Sequence, residues 1–293
     1  MASQLFLSPS TNTTQADLTN RLAAIKKQGI LTPVSILLPT DSIIHDLRSQ
    51  LDDTIGVHLY QFYRLGNAIL NEAGIPIHLI NDTAIRRLIR RILRDLNAEG
   101  LLTTFAPVWQ KPGFVEVLLD WIREMKGQGI FPQAYAQFAA EGQTERDRQL
   151  AEIYLRYQEF MQSRAYSDPD GQLWVAEEAL QERPTLFQRQ GPLFVLGFDQ
   201  YTPVQLRILR QLADRFSGLH IYLRWDEHRS DQSLALTRLR RAREDLLGII
   251  PLGLRVLSEE QNTHLGLMHL RQNLFESNQP EPADKSAIQW VEA

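Results

Sequence analysis

The stretch Ser8-Pro9-Ser10-Thr11-Asn12-Thr13-Thr14-Gln15 follows an apolar run and leads into a helical pattern, the place where an α/β domain cradles phosphates. Such a cradle needs G-x-x-x-x-G-K-[ST]. The glycines let backbone N–H groups wrap the anion, the lysine meets the β and γ charges, and the hydroxyl reaches magnesium. Here Ser8 and Thr13 stand where the glycines belong, Thr14 replaces the lysine, and Gln15 replaces the hydroxyl. The spacing predicts a helix N-terminus capped by hydroxyls, with no phosphate cradle.

A second chemistry-bearing pattern is cationic. Arg86, Arg87, Arg90, Arg91 and Arg94 fall at i, i+1, i+4, i+5 and i+8, so they share one side of a helix opposite Ile85, Leu88, Ile89, Ile92 and Leu93. A stripe of this kind suits a phosphate track, and it equally suits a solvated face paired to acids such as Asp95 and Glu99. Arg238, Arg240, Arg241 and Arg243 precede Glu244-Asp245 and read as an intrahelical ion-pair face. His45, His58, His78, His220, His228, His264 and His269 show no metal spacing. Aligning Asp168, Asp170, Gly171 and Glu177 on a calcium loop puts Tyr166 at its first ligand position and Pro169 inside the curl, so this segment reads as a turn capping the next helix. With no cysteine, the chain excludes disulfides, thiolate catalysis and cysteine-held metal within itself. A formal charge of -4 over 293 residues excludes a protein coated in basic residues, though one face can still be basic.

The elements that must position these residues begin with strand, loop and helix. Apolar runs at 4–7, 33–38 and 57–60 predict buried strands, and helical spacing at 17–27, 42–51 and 62–70 predicts the helices that follow them. That alternation implies a parallel sheet. From 81 to 182 the pattern is helical almost throughout, over 83–98, 114–128, 132–140 and 144–164. Strand runs resume at 192–198 and 219–223, around a helix at 204–216. Residues 231–276 read as helical with a turn near Pro251-Leu252-Gly253, 278–286 as a polar linker, and 287–292 as a strand ending at what we expect to be a fragment boundary. No signal-peptide pattern and no apolar run of membrane-spanning length occurs, so a soluble cytoplasmic chain without a membrane partner is expected.

The run Val195-Leu196-Gly197-Phe198-Asp199-Gln200-Tyr201-Thr202-Pro203-Val204-Gln205 resembles helicase motif II. It is more similar still to the Asp-Gly-Phe-x-x-Phe-Thr-Pro-x-Glu version carried by B subunits of bacterial helicase-nucleases. Leu196 stands where the magnesium-orienting Asp belongs, and Gly197 where the water-orienting Glu belongs. Further landmarks follow the same order as in the B-subunit family of ATP-dependent helicase-nucleases, of the AddB or RexB type. They are Leu37-Leu38-Pro39-Thr40-Asp41, Tyr60-Gln61-Phe62-Tyr63-Arg64-Leu65, and Ile153-Tyr154 with Tyr157 and Asp168.

The resemblance implies an α/β, RecA-like fold of the P-loop NTPase and superfamily 1 helicase type. Its parallel-sheet domain, 1–80 and 185–293, would be interrupted by an all-helical insertion over 81–184. It further implies an ATPase-inactive module of a double-strand-break repair helicase-nuclease that binds or guides single-stranded DNA beside a motor A subunit. Magnesium and an iron-sulfur cluster would belong to a longer parent, with no cofactor in this part. Phe62 and Arg64 match groove positions of the family, where an aromatic ring stacks on a base and a guanidinium pairs with phosphate. Gln200 and Tyr201, at the carboxyl edge of the sheet, and Arg86, Arg87 and Arg90 join them as candidate DNA contacts. Phe62 suits core packing equally well, and Arg64 a surface ion pair. Asn67 in place of a large aromatic, and Asp41 and Ile43 in place of polar residues, argue against reading the regulatory sequence Chi. The competing reading is a scaffold that packs on the motor protein without touching DNA.

Overall fold

The computed structural model describes residues 3–51, 55–142, 144–189, 191–226 and 236–258. These fall into two compact units, one from Met1–Gln61, Gln188–Tyr201 and Leu212–Ala293, the other from Phe62–Phe187 and Thr202–Gln211.

The first unit is built on a six-stranded sheet. Its strands are β1 (Gln4–Ser8), β2 (Val34–Leu37), β3 (Val57–Tyr60), β6 (Leu193–Val195), β7 (Leu219–Arg224) and β8 (Gly253–Val256). They lie in the order β3-β2-β6-β7-β1-β8, and every pairing is parallel. A parallel sheet covered on both faces wants unbroken apolar runs, which is why β1, β2, β6 and β7 are so legible in the sequence. The helices α1 (Thr11–Gln28) and α2 (Asp41–Gln50) bury Leu18, Leu22, Ile25, Ile44 and Leu47 in one cluster with Phe6, Ile36, Phe194, Leu196 and Tyr222. His220, on β7, sits between the rings of Phe194 and Phe6 at 5.1 and 5.9 Å. Burial, with Arg21 adding to it, pushes its pKa down to about 4, so the imidazole is a neutral core group.

Two elements depart from the sequence expectation. α1 begins at Thr11, six residues earlier than expected, so the anticipated loop is mostly helix. Ser10 closes its start by accepting a hydrogen bond from the Thr13 N–H. After α10 (Thr237–Ile249) the chain does not stay helical but forms β8, an edge strand beside β1 whose residues are all exposed. An exposed four-residue edge strand carries no apolar run, so nothing in its composition announced it. The expected linker and terminal strand lie outside the described residues.

The second unit is mainly helical. It holds α3 (Phe62–Ala73), α4 (Asp82–Ala98), α5 (Pro112–Gly127), α6 (Pro132–Ala140), α7 (Glu145–Ser163) and α8 (Pro169–Glu182). α9 (Pro203–Ala213) supplies residues to both units. Two further strands, β4 (His78–Leu79) and β5 (Tyr166–Ser167), pair in parallel between the expected helices, where the sequence predicted no strand; at two residues each, they are too short to show a period. α3 packs closely on α8 at Gly66, where a Cβ would come within 3.1 Å of Leu173. Among the described residues no helix is long and apolar enough to cross a membrane.

Candidate functional site

The carboxyl edge of the sheet is where an open α/β fold binds ligands, at the point where successive connections leave in opposite directions. Here β2 leads outward to β3 and its neighbour β6 leads to β7 on the other side, so the topology points to the loops after β2 and β6. The β6 loop is the segment from Leu196 to Tyr201. Leu196 is 7% exposed and belongs to the core cluster, so a carboxylate at that position would be buried among apolar groups. Gly197 has φ +81°, and a Cβ there would meet the Pro39 ring at 3.2 Å. The turn therefore requires glycine, and no side chain acts from that position.

At the end of β1, the hydroxyls are taken up by local hydrogen bonds. The Ser10 and Thr13 oxygens lie 2.9 Å apart, Ser8 donates to the Ser10 carbonyl at 3.0 Å, and Thr14 donates to the same carbonyl at 3.2 Å. Gln15 lies in the second turn of α1. What the edge does present is a stacked pair, Phe198 and Tyr201, with ring centroids 5.4 Å apart, beside exposed Asp199 and Gln200. The Tyr201 hydroxyl is buried and meets no hydrogen-bond partner among the described residues. Arg238 reaches Asp199 at 4.0 Å, so one member of the second arginine cluster binds outside its own helix, while Arg241 pairs with Asp245 at 3.9 Å.

The remaining sequence candidates lie in the second unit. Phe62 opens the apolar stripe of α3 with Leu65, Ile69 and Leu70 and is 6% exposed, so its ring is packed inward. The solvent-facing pair is Tyr63 and Arg64: the guanidinium lies 5.7 Å from the Tyr63 ring and donates to its hydroxyl at 2.9 Å. Sequence reasoning passed over Tyr63, although its place one residue past the stripe was the available signal. On α4 the arginines span an arc of about 140°. Arg86, at one margin, is tied to Glu116 through two bonds of 2.8 and 3.0 Å, which hold the Glu116 carboxyl below its ordinary pKa. Arg87, Arg90, Arg91 and Arg94 remain exposed, Arg91 lying 3.7 Å from Asp95.

Sequence reasoning also missed a buried ion pair. Lys126 (1% exposed) meets Asp168 at 2.6 Å; Asp168 also accepts from the Tyr157 hydroxyl and the Gly171 N–H, each at 2.6 Å. The ammonium lies 5.0 Å from the Tyr157 ring centroid and 5.5 Å from that of Trp174. Burial alone would raise the Asp168 pKa, but Lys126 and the hydrogen bonds outweigh it and hold the carboxyl below its ordinary value. Asp168 is the N-cap of α8, the turn the sequence predicted, and Glu177 is engaged by Arg207 at 2.6 Å. Among the described residues no group of acids and histidines is placed to hold a metal ion.

Neighbouring Asp170 has a pKa pushed up to about 6, first by burial and then by the Asp168 charge. A carboxyl raised in the fold costs stability above its folded pKa and nothing below its unfolded pKa near 4. Asp170→Asn should therefore stabilise the second unit by about 1–2 kcal/mol at pH 8 and leave it unchanged at pH 4. Urea melts at the two pH values check this, and an equal effect at both would contradict it.

The described residues form an α/β chain whose main six-stranded sheet is all parallel. The family model described as "ADDB, N-terminal" matches residues 41–246, and the chain belongs to that family. Similar proteins include the B subunit of the ATP-dependent helicase/deoxyribonuclease of Natranaerobius thermophilus, 25% identical over 60% of this chain and 15% of that protein. The B subunit of the same description from Desulforamulus reducens is 28% identical over 60% and 16%, and that from Moorella thermoacetica 28% over 65% and 18%. The chain thus spans less than a fifth of the length of these curated relatives.

Proposed function

We propose that this chain is the helicase-like part of a helicase-nuclease B subunit in double-strand-break repair. In this reading the first unit is a RecA-like domain that no longer hydrolyses ATP, and the molecule guides single-stranded DNA beside a motor A subunit. The observation that carries it is the paired state of the two loops: the position of the phosphate cradle ends β1, that of the acidic pair ends β6, and both open on one edge of one sheet with only β7 between. A RecA-like nucleotide site would draw on both loops; here one is closed by its own local hydrogen bonds and the other holds a core leucine and a glycine pressed on Pro39, which supports the inactive reading. Exposed Gln200, and the exposed Tyr63, Arg64 and Arg90, are of the types that hold a single strand without reading it.

Burial of Phe62 and pairing of Arg86 favour the scaffold reading at those two positions, so the DNA reading rests on the exposed residues. Phosphate release from magnesium-ATP, with and without oligothymidylate, is expected to stay at the level of the protein-free blank. Magnesium-dependent turnover that is lost in Thr14→Ala would contradict the inactive reading.

A further inference from the structure

A groove of about 330 Å³ opens between α4, the end of α7 and β5. Its lining is apolar: Ile80, Ala84 and Leu88 on one side, Phe160 and Tyr166 on the other, with ring centroids 6.3 Å apart. Arg87 and Arg91, one helical turn apart and both exposed, also line it. A third cation, Arg164, lies over the Phe160 ring at 4.3 Å. The wall is held by unusual backbone. Ala165 has φ +52°, a left-handed conformation that an alanine adopts only against strain, and its carbonyl accepts the His78 N–H at 3.0 Å, fixing β5 beside β4. Tyr166, the next residue, stays 37% exposed.

We infer that this groove is a docking site for an acidic peptide segment of a partner protein, which seats a large apolar side chain on Leu88, Phe160 and Tyr166 while its carboxylates meet Arg87 and Arg91. Charge complementarity selects the occupant. Two exposed guanidiniums line an apolar slot and a third lies over one of its rings, while the only acid the described residues pair with any of them is Asp95, at 3.7 Å from Arg91. A nucleobase fits worse. Its polar edge would be pressed on Ala84, Leu88 and Ile80, which offer no side-chain hydrogen-bond partner, whereas a phenylalanine or leucine loses nothing there. The DNA reading rests on Tyr63, Arg64, Arg90 and Gln200, none of which lines the groove; Arg87, also a candidate DNA contact by its place on the arginine stripe, is the one residue the two readings contest.

The test uses fluorescence polarisation of the whole chain with a fluorescein-labelled peptide of alternating aspartate and phenylalanine. Saturable binding is expected, roughly tenfold weaker both in Arg87→Glu/Arg91→Glu and when the phenylalanines become serines. A peptide of lysine and phenylalanine should bind the doubly substituted chain and not the wild type, which keeps the test decisive if Tyr166→Ala, the complementary variant, fails to fold. Absence of saturable binding, or binding indifferent to the arginines, overturns the inference. So does labelled oligothymidylate that binds wild type and is lost in Arg87→Glu/Arg91→Glu but not in Arg64→Glu/Arg90→Glu, since the groove is then a DNA site. Loss of oligothymidylate binding in the second variant alone leaves the two sites distinct.

Discussion

Lys126→Met is expected to destabilise the second unit by about 3–5 kcal/mol, because it leaves the Asp168 carboxylate buried without its cation. The methionine fills the same space, so the loss is electrostatic rather than a cavity. The cluster is tight: a Cβ at Gly171 would come within 3.0–3.1 Å of Ser167, Asp168 and the Lys126 ammonium, so the helix start admits only glycine without displacement. Two consequences separate this account from simple loss of packing. Adding Asp168→Asn to Lys126→Met should restore at least half of the loss, since asparagine keeps the N-cap and removes the orphaned charge. Hydrogen exchange read peptide by peptide should show α5, α7 and α8 opening while the sheet stays protected. Equal loss in the double variant would mean that the charges do not set this stability.

Gly191→Ala is the corresponding lesion in the first unit. A Cβ at Gly191 would lie 1.5 Å from the Pro33 carbonyl oxygen, a backbone atom that cannot rotate aside. The two residues sit just before β6 and β2, whose register is tied by the Ser35 N–H donating to the Pro192 carbonyl at 3.0 Å. One added methyl must therefore pry the central strands apart, at a cost of about 3 kcal/mol or more. Gly248 is the control: it lies in α10 of the same unit with nothing within 4 Å of a Cβ, and Gly248→Ala should instead stabilise by about 0.5–1 kcal/mol. Urea melts that place both variants on the same side of wild type would refute the steric argument.

Much of this was legible because buried parallel strands leave unbroken apolar runs, and β1, β2, β6 and β7 supplied them. β8 was not, because an exposed edge strand has no run to leave. The residue types in the loops after β1 and β6 could be read directly from the sequence. Their geometry could not, since Leu196 joins the core and Gly197 presses on Pro39 only once β2 and β6 are neighbours. The arginine stripe was visible as a period, but which of its members are engaged depends on α5, which brings Glu116 to Arg86 across 30 positions. For Phe62 the resemblance suggested a groove and core packing suited it equally well; its ring lies on the buried stripe with Leu65 and Ile69. The Lys126–Asp168 pair had a signal that went unused: Lys126 continues the apolar face of Val115, Leu118, Leu119 and Ile122 four residues on, where a lysine must find a buried partner.

The measurement that bears most directly on the DNA-guiding role is binding of a labelled oligothymidylate to the purified chain at about 50 and 200 mM salt, in wild type and Arg64→Glu/Arg90→Glu. Binding that weakens roughly tenfold or more with the added salt, and is lost in the variant, is the predicted result. No binding at the lower salt, or binding that the variant keeps, would contradict the role assigned to these residues.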